Sequence, residues 1–363
     1  MSKQTVKESR TTAVDSEKLN RFIGQFVTDF GAAMHAPTII IGEKLGLYKA
    51  MAGGAELTSQ ELASKTGTSE RYVREWLSAQ AASGYVMYNH LSGKFWLSPE
   101  QAFTLADESS PAYLPGAFYI ASAVAKDEPK LEDAFRTGKG VGWHEHDGNL
   151  FRGTEMFFRP GYSANLVSSW LPALEGVVAK LEKGARVADI GCGHGASTII
   201  MAKAYPKSTF IGYDYHGPSI EVARETAKRE GVDDRVTFEV ASAKTYPGRD
   251  FDLVAVFDAL HDMGDPAGAA AHVRQSLKPD GTWLIVEPYA NERLEENLNP
   301  VGRIFYSAST MLCTGGSLDQ EVGVALGAQA PESSIRELVM RGGFTRFRRA
   351  TQTPFNRVFE AKP

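Results

Sequence analysis

Cysteines, long apolar runs and an excess of one charge are all scarce in this sequence, and each scarcity excludes a class of protein. Only Cys192 and Cys313 occur in 363 residues, too few for a disulfide framework, so we expect a reducing compartment, most simply the cytoplasm. No apolar run approaches the roughly 20 residues that span a bilayer. Lys and Arg number 39 against 44 Asp and Glu, with both signs scattered, so no global field attracts nucleic acid or an anionic membrane.

Length and the start of the chain set the expected organisation. At about 150 residues per domain, 363 residues predict two domains. The first residues, 1–15, are polar and lack the apolar core of a signal peptide, so they predict a flexible tail.

A glycine-rich loop follows an apolar strand at residues 187–198 (VADIGCGHGAST). Gly191, Gly193 and Gly195 let the backbone turn tightly and approach a ligand. The helix that begins at about Ala196 directs its free N–H groups and positive dipole end at that ligand. The loop therefore predicts a cofactor cradle.

Two cofactor types fit this loop. Gly191, Gly193 and Ala196 also match the spacing of a nicotinamide-dinucleotide fingerprint. Asp189 separates the two interpretations, because a carboxylate at the mouth of the strand repels a pyrophosphate and attracts an ammonium group. S-adenosylmethionine (SAM) carries such an ammonium, so we favour SAM and keep the nicotinamide cofactor as the weaker alternative.

The next two strand-like segments also end in polar side chains. Residues 208–214 (STFIGYD) end in Asp214, a position suited to the hydroxyls of a ribose. Residues 235–242 (RVTFEVAS) end in Ser242, where an adenine edge could be held. In this order the motifs resemble those of class I SAM-dependent methyltransferases: Asp-x-Gly-x-Gly-x-Gly, an acidic residue ending the second strand and a polar residue after the third. Many members carry Asp where this chain has Ser242.

Later segments extend the resemblance. Residues 251–257 (FDLVAVF) predict a fourth strand, and a Pro-Asp-Gly turn at 279–281 leads into a fifth after a helix over 266–277. By itself the turn is ordinary, but its position is typical of the family. Residues 344–350 and 355–361 predict the antiparallel hairpin that the family has at its sheet edge. The resemblance implies an α/β, Rossmann-like fold with a seven-stranded sheet, with SAM as cofactor and S-adenosylhomocysteine (SAH) as product.

The resemblance also implies where the cofactor binds. We expect Asp189 and the glycine loop at the methionine end, Asp214 at the ribose, and Ser242 with Ala243 at the adenine. The full set of predicted cofactor-binding residues is Asp189, Gly191, Cys192, Gly193, Asp214, Tyr215, Ser242, Ala243, Phe257 and Asp258.

Residues 16–108 predict a mainly helical winged-helix domain. The pattern begins with a helical stretch over 16–47, with Pro37 in the first turn of a second helix. A helix follows that a capping box of Thr58 and Glu61 opens and Gly67 stops. The next helix is capped by Thr68 and ended by Gly84, and strands follow at 85–89 and 94–97. A DNA-binding role would need several basic residues on the second helix and the wing, and Arg71, Arg74 and Lys94 are few. Small-molecule O-methyltransferases carry a similar domain, which implies a homodimer and closure of the substrate pocket.

Residues 109–170 predict a helical linker that lines the pocket, followed by a catalytic domain over 171–363 with an irregular, lid-like insertion at 292–329. Aromatic residues concentrate at 140–162, which suits either packing between domains or the wall of a substrate pocket. Trp143, His144, Phe158, Tyr162 and Met311 are the predicted substrate-binding residues. His144 and His146 could instead bridge a metal, but a site needs three or four arranged ligands and only two are visible, so we predict none.

His261 is the candidate general base, with Asp262 beside it. It follows the fourth strand at the carboxyl edge of the sheet, where open α/β folds bind ligands, and a reference pKa of about 6.5 suits proton acceptance near neutrality. By resemblance it falls where plant-type O-methyltransferases have their base histidine in a Leu-His-Asp-Trp sequence, although Met263 replaces the Trp here. Packing of the loop is the alternative role for this histidine.

The sequence therefore predicts in-line methyl transfer from SAM to a small molecule, most readily at a hydroxyl with His261 as base. Two other functions stay open. One is a SAM-binding transcriptional regulator whose winged helix binds DNA, and the other is an N- or C-methyltransferase that needs no base.

Overall fold

The computed structural model describes residues 14–363, which divide into two compact units. The first runs to Ala102 and the second from Phe103 to the last residue. The tail predicted over residues 1–15 lies, except for its last two residues, outside the described part. The finer division of the second unit into a linker and a catalytic domain stays a prediction.

The first unit consists of a long helix followed along the chain by a winged helix. Its elements are α1 (Ser16–Lys44), α2 (Leu47–Met51), α3 (Ser59–Thr66), α4 (Glu70–Ala82), the antiparallel strands β1 (Met87–Asn89) and β2 (Lys94–Trp96), and α5 (Pro99–Leu105), which crosses into the second unit. The capping box of Thr58 and Glu61 is present, and Gly67 ends α3 in the left-handed conformation, as predicted.

Two local predictions in this unit were wrong. Pro37 does not begin a second helix: α1 continues through it, and buried Ile39 and Ile40 anchor the segment beyond the proline. Ser69, not Thr68, is the residue at the start of α4, because the Thr68 hydroxyl lies 2.8 Å from that of Thr66 instead.

The second unit is a seven-stranded sheet with helices around it, which confirms the predicted fold class. Its strands are β3 (Arg186–Ile190), β4 (Thr209–Asp214), β5 (Val236–Val240), β6 (Phe251–Phe257), β7 (Leu277–Pro288), β8 (Arg346–Gln352) and β9 (Asn356–Lys362). The order is β5-β4-β3-β6-β7-β9-β8, parallel except that β9 pairs antiparallel with both of its neighbours.

Helices precede the sheet and separate its strands. They are α6 (Gly116–Thr137), α7 (Asn149–Asn165), α8 (Val177–Lys183), α9 (Ala196–Ala204), α10 (Gly217–Arg229), α11 (Pro266–Ser276), α12 (Pro300–Ala308), α13 (Thr314–Leu318) and α14 (Glu332–Arg341). Two apolar clusters pack on the sheet and bury the inner strands on both faces, as a parallel sheet requires. The loops at the carboxyl ends of the strands are therefore held by a rigid frame.

Two predictions in the second unit need correction. The insertion at 292–329 is largely helical, because Asn299 caps α12 and Pro300 occupies its first position, a start signal that the sequence contains. Residues 279–281 form an irregularity within β7, where its pairing with β6 shifts, and not a turn before it.

In the part of the chain that the structure describes, no helix is long and apolar enough to cross a membrane.

Candidate functional site

A cavity of about 520 Å³ opens in the second unit at the carboxyl ends of four adjacent strands. Loops after β3, β4, β5 and β6 form its floor, and α7 and the segment around α13 contribute to its walls. Most of the predicted site residues line it: Trp143, His144, Phe158, Tyr162, Gly191, Cys192, Gly193, Asp214, Tyr215, Ser242, Ala243, Phe257, Asp258 and Asp262. Asp189, His261 and Met311 are absent from this lining.

The glycine loop connects β3 to α9 along one side of the cavity. Gly191, Gly193 and Gly195 all have positive φ, which residues with a side chain rarely adopt. At Gly195 a Cβ would also lie 2.5 Å from the ring of Phe238, so only glycine fits the N-cap position of α9. The loop thus presents its backbone to the cavity, as a cofactor cradle requires.

Asp214 ends β4 and fixes the loop from the neighbouring strand. One carboxylate oxygen accepts the backbone N–H of Gly193 and the other accepts that of His216, both at 2.9 Å. Burial raises the pKa of Asp214, and these two bonds oppose the increase. Each oxygen keeps a lone pair that a ribose hydroxyl in the cavity could reach.

Asp189 lies beneath the loop and not on the cavity surface. It is 1% exposed, and its Oδ2 accepts the hydroxyls of Ser197 and Thr198, both at 2.6 Å. Burial raises the pKa of Asp189 to about 6, against the lowering by these two bonds. Its other oxygen, Oδ1, is buried and has no hydrogen-bond partner in the structure. Asp189 therefore has one oxygen that can still accept a hydrogen bond.

His261 is held between two carboxylates next to the cavity. Its Nδ1 lies 2.6 Å from Oε2 of Glu287 at the end of β7, and its Nε2 lies 3.3 Å from Oδ1 of Asp262. The other oxygen of Glu287 accepts the backbone N–H of Leu260 at 3.0 Å, so this carboxylate fixes both the ring and the 3₁₀ turn that carries it. His261 is buried, and Asp262 is the member of the group that reaches the cavity.

The electrostatic environment makes His261 a strong base. Desolvation by burial acts to lower its pKa, but Asp262 and Glu287, with a smaller contribution from Cys313, outweigh it and raise the pKa well above the ordinary value. The raised pKa favours the protonated imidazole, which is the form that cannot act as a base. Cys313 lies close enough that its sulfur, an Asp262 oxygen and a His261 nitrogen are all within 4.8 Å of one another.

Asp258 follows β6 and is fixed by three elements. It accepts the Tyr162 hydroxyl of α7 at 3.0 Å and the Asn356 amide of β9 at 2.8 Å, and its own N–H bonds Val286 of β7. Its φ is +49°, in the left-handed region that few non-glycine residues adopt. Strained backbone of this kind concentrates at functional positions.

Aromatic side chains cover the opposite side of the cavity. Phe158 stacks on Tyr162, with ring centroids 5.9 Å apart, and Phe151 stacks on His216 at 4.4 Å. Met311 packs instead in an apolar cluster beside the cavity.

The two histidines weighed as metal ligands have different partners. His146 is buried, and its Nδ1 lies 2.9 Å from Asp127. His144 is exposed and groups with Glu145 and Asp319.

Sequence reasoning missed the residues that contact and orient His261, Asp262 and Asp258. Glu287 ends an apolar strand, as Asp189 and Asp214 do, so the same signal could have identified it. Asn356 and Cys313 carried no signal, because they come from chain segments that only the tertiary fold brings to the cavity. Gln320 is a third example: its amide bonds the backbone oxygens of Asp262 and Gly316, and its oxygen accepts the N–H of Gly264.

Two family models match this chain. Residues 181–330 match a methyltransferase domain, and residues 33–107 match an Rv2258c-like winged helix-turn-helix domain. The 27-O-demethylrifamycin SV methyltransferase of Amycolatopsis mediterranei is 34% identical over 131 residues, which cover 34% of this chain and 48% of that protein. An uncharacterized methyltransferase of Bacillus subtilis is 33% identical over 33% of this chain and 47% of its own length. The matches thus span about half the length of these curated relatives.

Solved structures agree over nearly the whole chain. An O-methyltransferase family protein from Burkholderia thailandensis superposes with a TM-score of 0.69 at 18% identity, over 97% of this chain and 99% of that one. Human N-acetylserotonin methyltransferase, solved with SAM, gives 0.70 at 16% identity, over 98% and 99%. At these identities the likeness shows the fold.

Proposed function

Since the second unit contains a methyltransferase domain and the first a winged-helix domain, we propose that this chain transfers a methyl group from SAM to a small-molecule acceptor, most readily at a hydroxyl. The observation that carries the proposal is one cavity lined by the glycine loop, Asp214 and Ser242 on one side and by Asp262 of the His261 group on the other. Cofactor and acceptor sites would share this space.

The residues at the first side suit SAM. The loop presents backbone with no side chain at Gly191 or Gly193, Asp214 has a lone pair free on each oxygen, and Ser242 with Ala243 follows β5 where the adenine would lie. Asp189 has an unpartnered oxygen under the loop, which suits a water-mediated contact to an ammonium. Asp214 would suit the ribose of either cofactor, so the preference for SAM over a nicotinamide dinucleotide comes from the match to a methyltransferase domain.

Bound SAM supplies an activated methyl on a positive sulfur, so the protein has little covalent chemistry to perform. Its main task is to align the acceptor with that methyl, and such positioning contributes about 7–11 kcal/mol. Phe158, Tyr162 and Trp143 line the cavity with rings suited to orienting an aromatic acceptor. His144 is the exposed member of the proposed acceptor contacts, and Met311 would act only through packing.

We propose that His261 takes the acceptor proton. Glu287 accepts a hydrogen bond from the Nδ1–H and thereby leaves Nε2 for the acceptor side, where Asp262 lies between the ring and the cavity. A proton leaving a hydroxyl would pass through Asp262, which lines the cavity, to Nε2. A positioned base contributes about 10²–10⁴-fold to the rate.

The test is turnover of SAM to SAH with a panel of phenols, alcohols and amines, comparing wild type with His261→Ala. A hydroxyl acceptor whose methylation falls by about 10²–10⁴-fold in the variant supports the proposal. Equal turnover by both proteins would instead favour an N- or C-methyltransferase, whose nucleophile needs no deprotonation.

A transcriptional regulator is less well supported. The arginines of α4 are already paired: Arg71 lies 2.7 Å from Glu75, and Arg74 lies 2.6 Å from Glu70. Few charges on this helix therefore stay available to neutralise phosphates.

We also propose that the chain is a homodimer through its first unit. Phe22, Phe26, Phe30 and Met34 lie one turn apart on α1 and are 57–67% exposed. Four large apolar side chains along one helix face form a patch that a second copy would cover.

A further inference from the structure

The cavity carries a strong excess of acidic side chains. Its lining contains two basic residues, Lys244 and Arg159. The seven acidic residues that line it are Glu155, Asp214, Asp258, Asp262, Asp265, Asp319 and Glu321. With histidines neutral, two minus seven gives a formal charge of −5, equal to that of the whole chain. A low-dielectric cavity of this sign favours a cationic ligand.

Most of these carboxylates have a charged partner or contact solvent. Lys244 pairs with both Asp265 and Glu321, Arg159 pairs with Glu155, and Asp262 faces the His261 ring. Asp319 is exposed, so water screens it. Asp214 and Asp258 differ from the rest, because each is only partly exposed and their hydrogen-bond donors are uncharged.

Strand order assigns these two carboxylates to opposite ends of a bound cofactor. Asp214 follows β4, next to the proposed adenine side at β5, whereas Asp258 follows β6, three residues before His261. The methyl of bound SAM would face the base and the acceptor, so the sulfur that bears it would lie toward β6. Of the two, Asp258 is therefore the carboxylate on the sulfonium side.

We propose that Asp258 distinguishes SAM from its product SAH, because its carboxylate stabilises the positive sulfonium and gains nothing from the neutral thioether. This inference rests on the proposed function. SAM has a net charge of +1 and SAH has none, while their shapes differ by one methyl group. Discrimination by charge would hold the substrate and release the product after the charge has been lost.

Tyr162 and Asn356 are positioning residues in this account. Each occupies one oxygen of Asp258, and the left-handed backbone holds the carboxyl toward the cavity at a cost in strain. A strained backbone at Asp258 is expected if the orientation of its carboxyl group is needed for SAM binding.

The account predicts a pH dependence. Burial, then Glu287 and Asp262, raise the pKa of Asp258 to about 8, while His261 and the Tyr162 hydroxyl lower it. A cation beside the carboxyl favours its ionised form, so SAM should bind with release of a proton and bind more tightly as pH rises toward about 8. SAH has no charge at that position, and its affinity should change much less.

The experiment is calorimetric titration of the full chain with SAM and with SAH at about pH 6.5 and about pH 8.5. Proteins are wild type, Asp258→Asn, and Asp319→Asn as a matched change of another lining carboxyl. We expect Asp258→Asn to weaken the affinity for SAM by about tenfold or more, which corresponds to one pKa unit of interaction. The affinity for SAH should change by less than about twofold. Asp319→Asn should leave both affinities unchanged.

Equal weakening of SAM and SAH in Asp258→Asn would overturn the inference and leave the proposed function intact. Binding of neither ligand to wild type would overturn both. If Asp258→Asn does not fold, the wild-type comparison decides: affinity for SAM that rises with pH while that for SAH stays level supports the inference, and parallel pH profiles contradict it.

Discussion

Replacing Glu287 by Gln should disable His261 while leaving the shape of the site unchanged. Glu287 serves two donors at once, the Nδ1–H of His261 at 2.6 Å and the backbone N–H of Leu260 at 3.0 Å. Gln has only one oxygen, and the Leu260 N–H cannot become an acceptor. The oxygen therefore stays with Leu260, and the new NH₂ group must donate to Nδ1.

That donation moves the proton of the neutral imidazole to Nε2, the nitrogen that should accept the proton of the acceptor. The expected loss is most or all of the contribution of the base, about 10²–10⁴-fold in kcat. Affinity for SAM should not fall, because Asp214 and the glycine loop are untouched and the loss of the Glu287 charge lowers the pKa of Asp258. The Gln also removes a charge that raises the pKa of His261, so that pKa should fall.

Two measurements check this prediction. Release of SAH with a catechol or naphthol acceptor gives kcat, with Glu321→Gln as the matched control, since Glu321 lines the cavity but bonds Lys244. Nitrogen NMR of labelled histidine reports the tautomer and pKa of His261 without any acceptor. A Glu287→Gln variant with wild-type kcat, or with the proton still on Nδ1, would refute the reasoning.

Three further predictions follow from charges and exposure. Because the pKa of His261 is raised, its protonated form is inactive as a base, and kcat should rise with pH above neutrality; a level profile would contradict this. Asp189 has its folded-state pKa raised from 3.8 to about 6, so stability is lost as pH rises through that range, and Asp189→Asn should recover up to about 3 kcal/mol at pH near 8, measured by urea unfolding. Phe26→Glu in α1 should convert a dimer into a monomer by light scattering, whereas Thr28→Glu should not; identical masses would count against the proposed interface.

The fold was predictable because its signals are local. Apolar strands that end in Asp189, Asp214 and Ser242, with a glycine loop after the first, identify a parallel sheet and its ligand-binding edge from the sequence alone. The capping box of Thr58 and Glu61 marks a helix start for the same reason, since both partners lie within one turn. Helical structure in 292–329 was missed although Asn299 and Pro300 mark the start of a helix.

The site was predictable in part. Residues that follow strands, such as Asp214 and Ser242, lie on the cavity because strand ends converge. The partners of His261 and Asp258 were not predictable, since Cys313 and Asn356 reach them only through tertiary packing. Side-chain burial could not be predicted either. Sequence position does not reveal that Asp189 lies under the loop, or that Asp262 reaches the cavity and His261 does not.

SAM binding in this cavity is tested by calorimetric titration of the purified chain with SAM and SAH, run beside NAD and repeated with Asp214→Ala. The account predicts micromolar binding of SAM and SAH, no binding of NAD, and loss of both affinities in the variant, because Asp214 holds the loop and offers the ribose its acceptors. Binding of NAD instead, or of neither SAM nor SAH, would contradict the assignment of this cavity to methyl transfer.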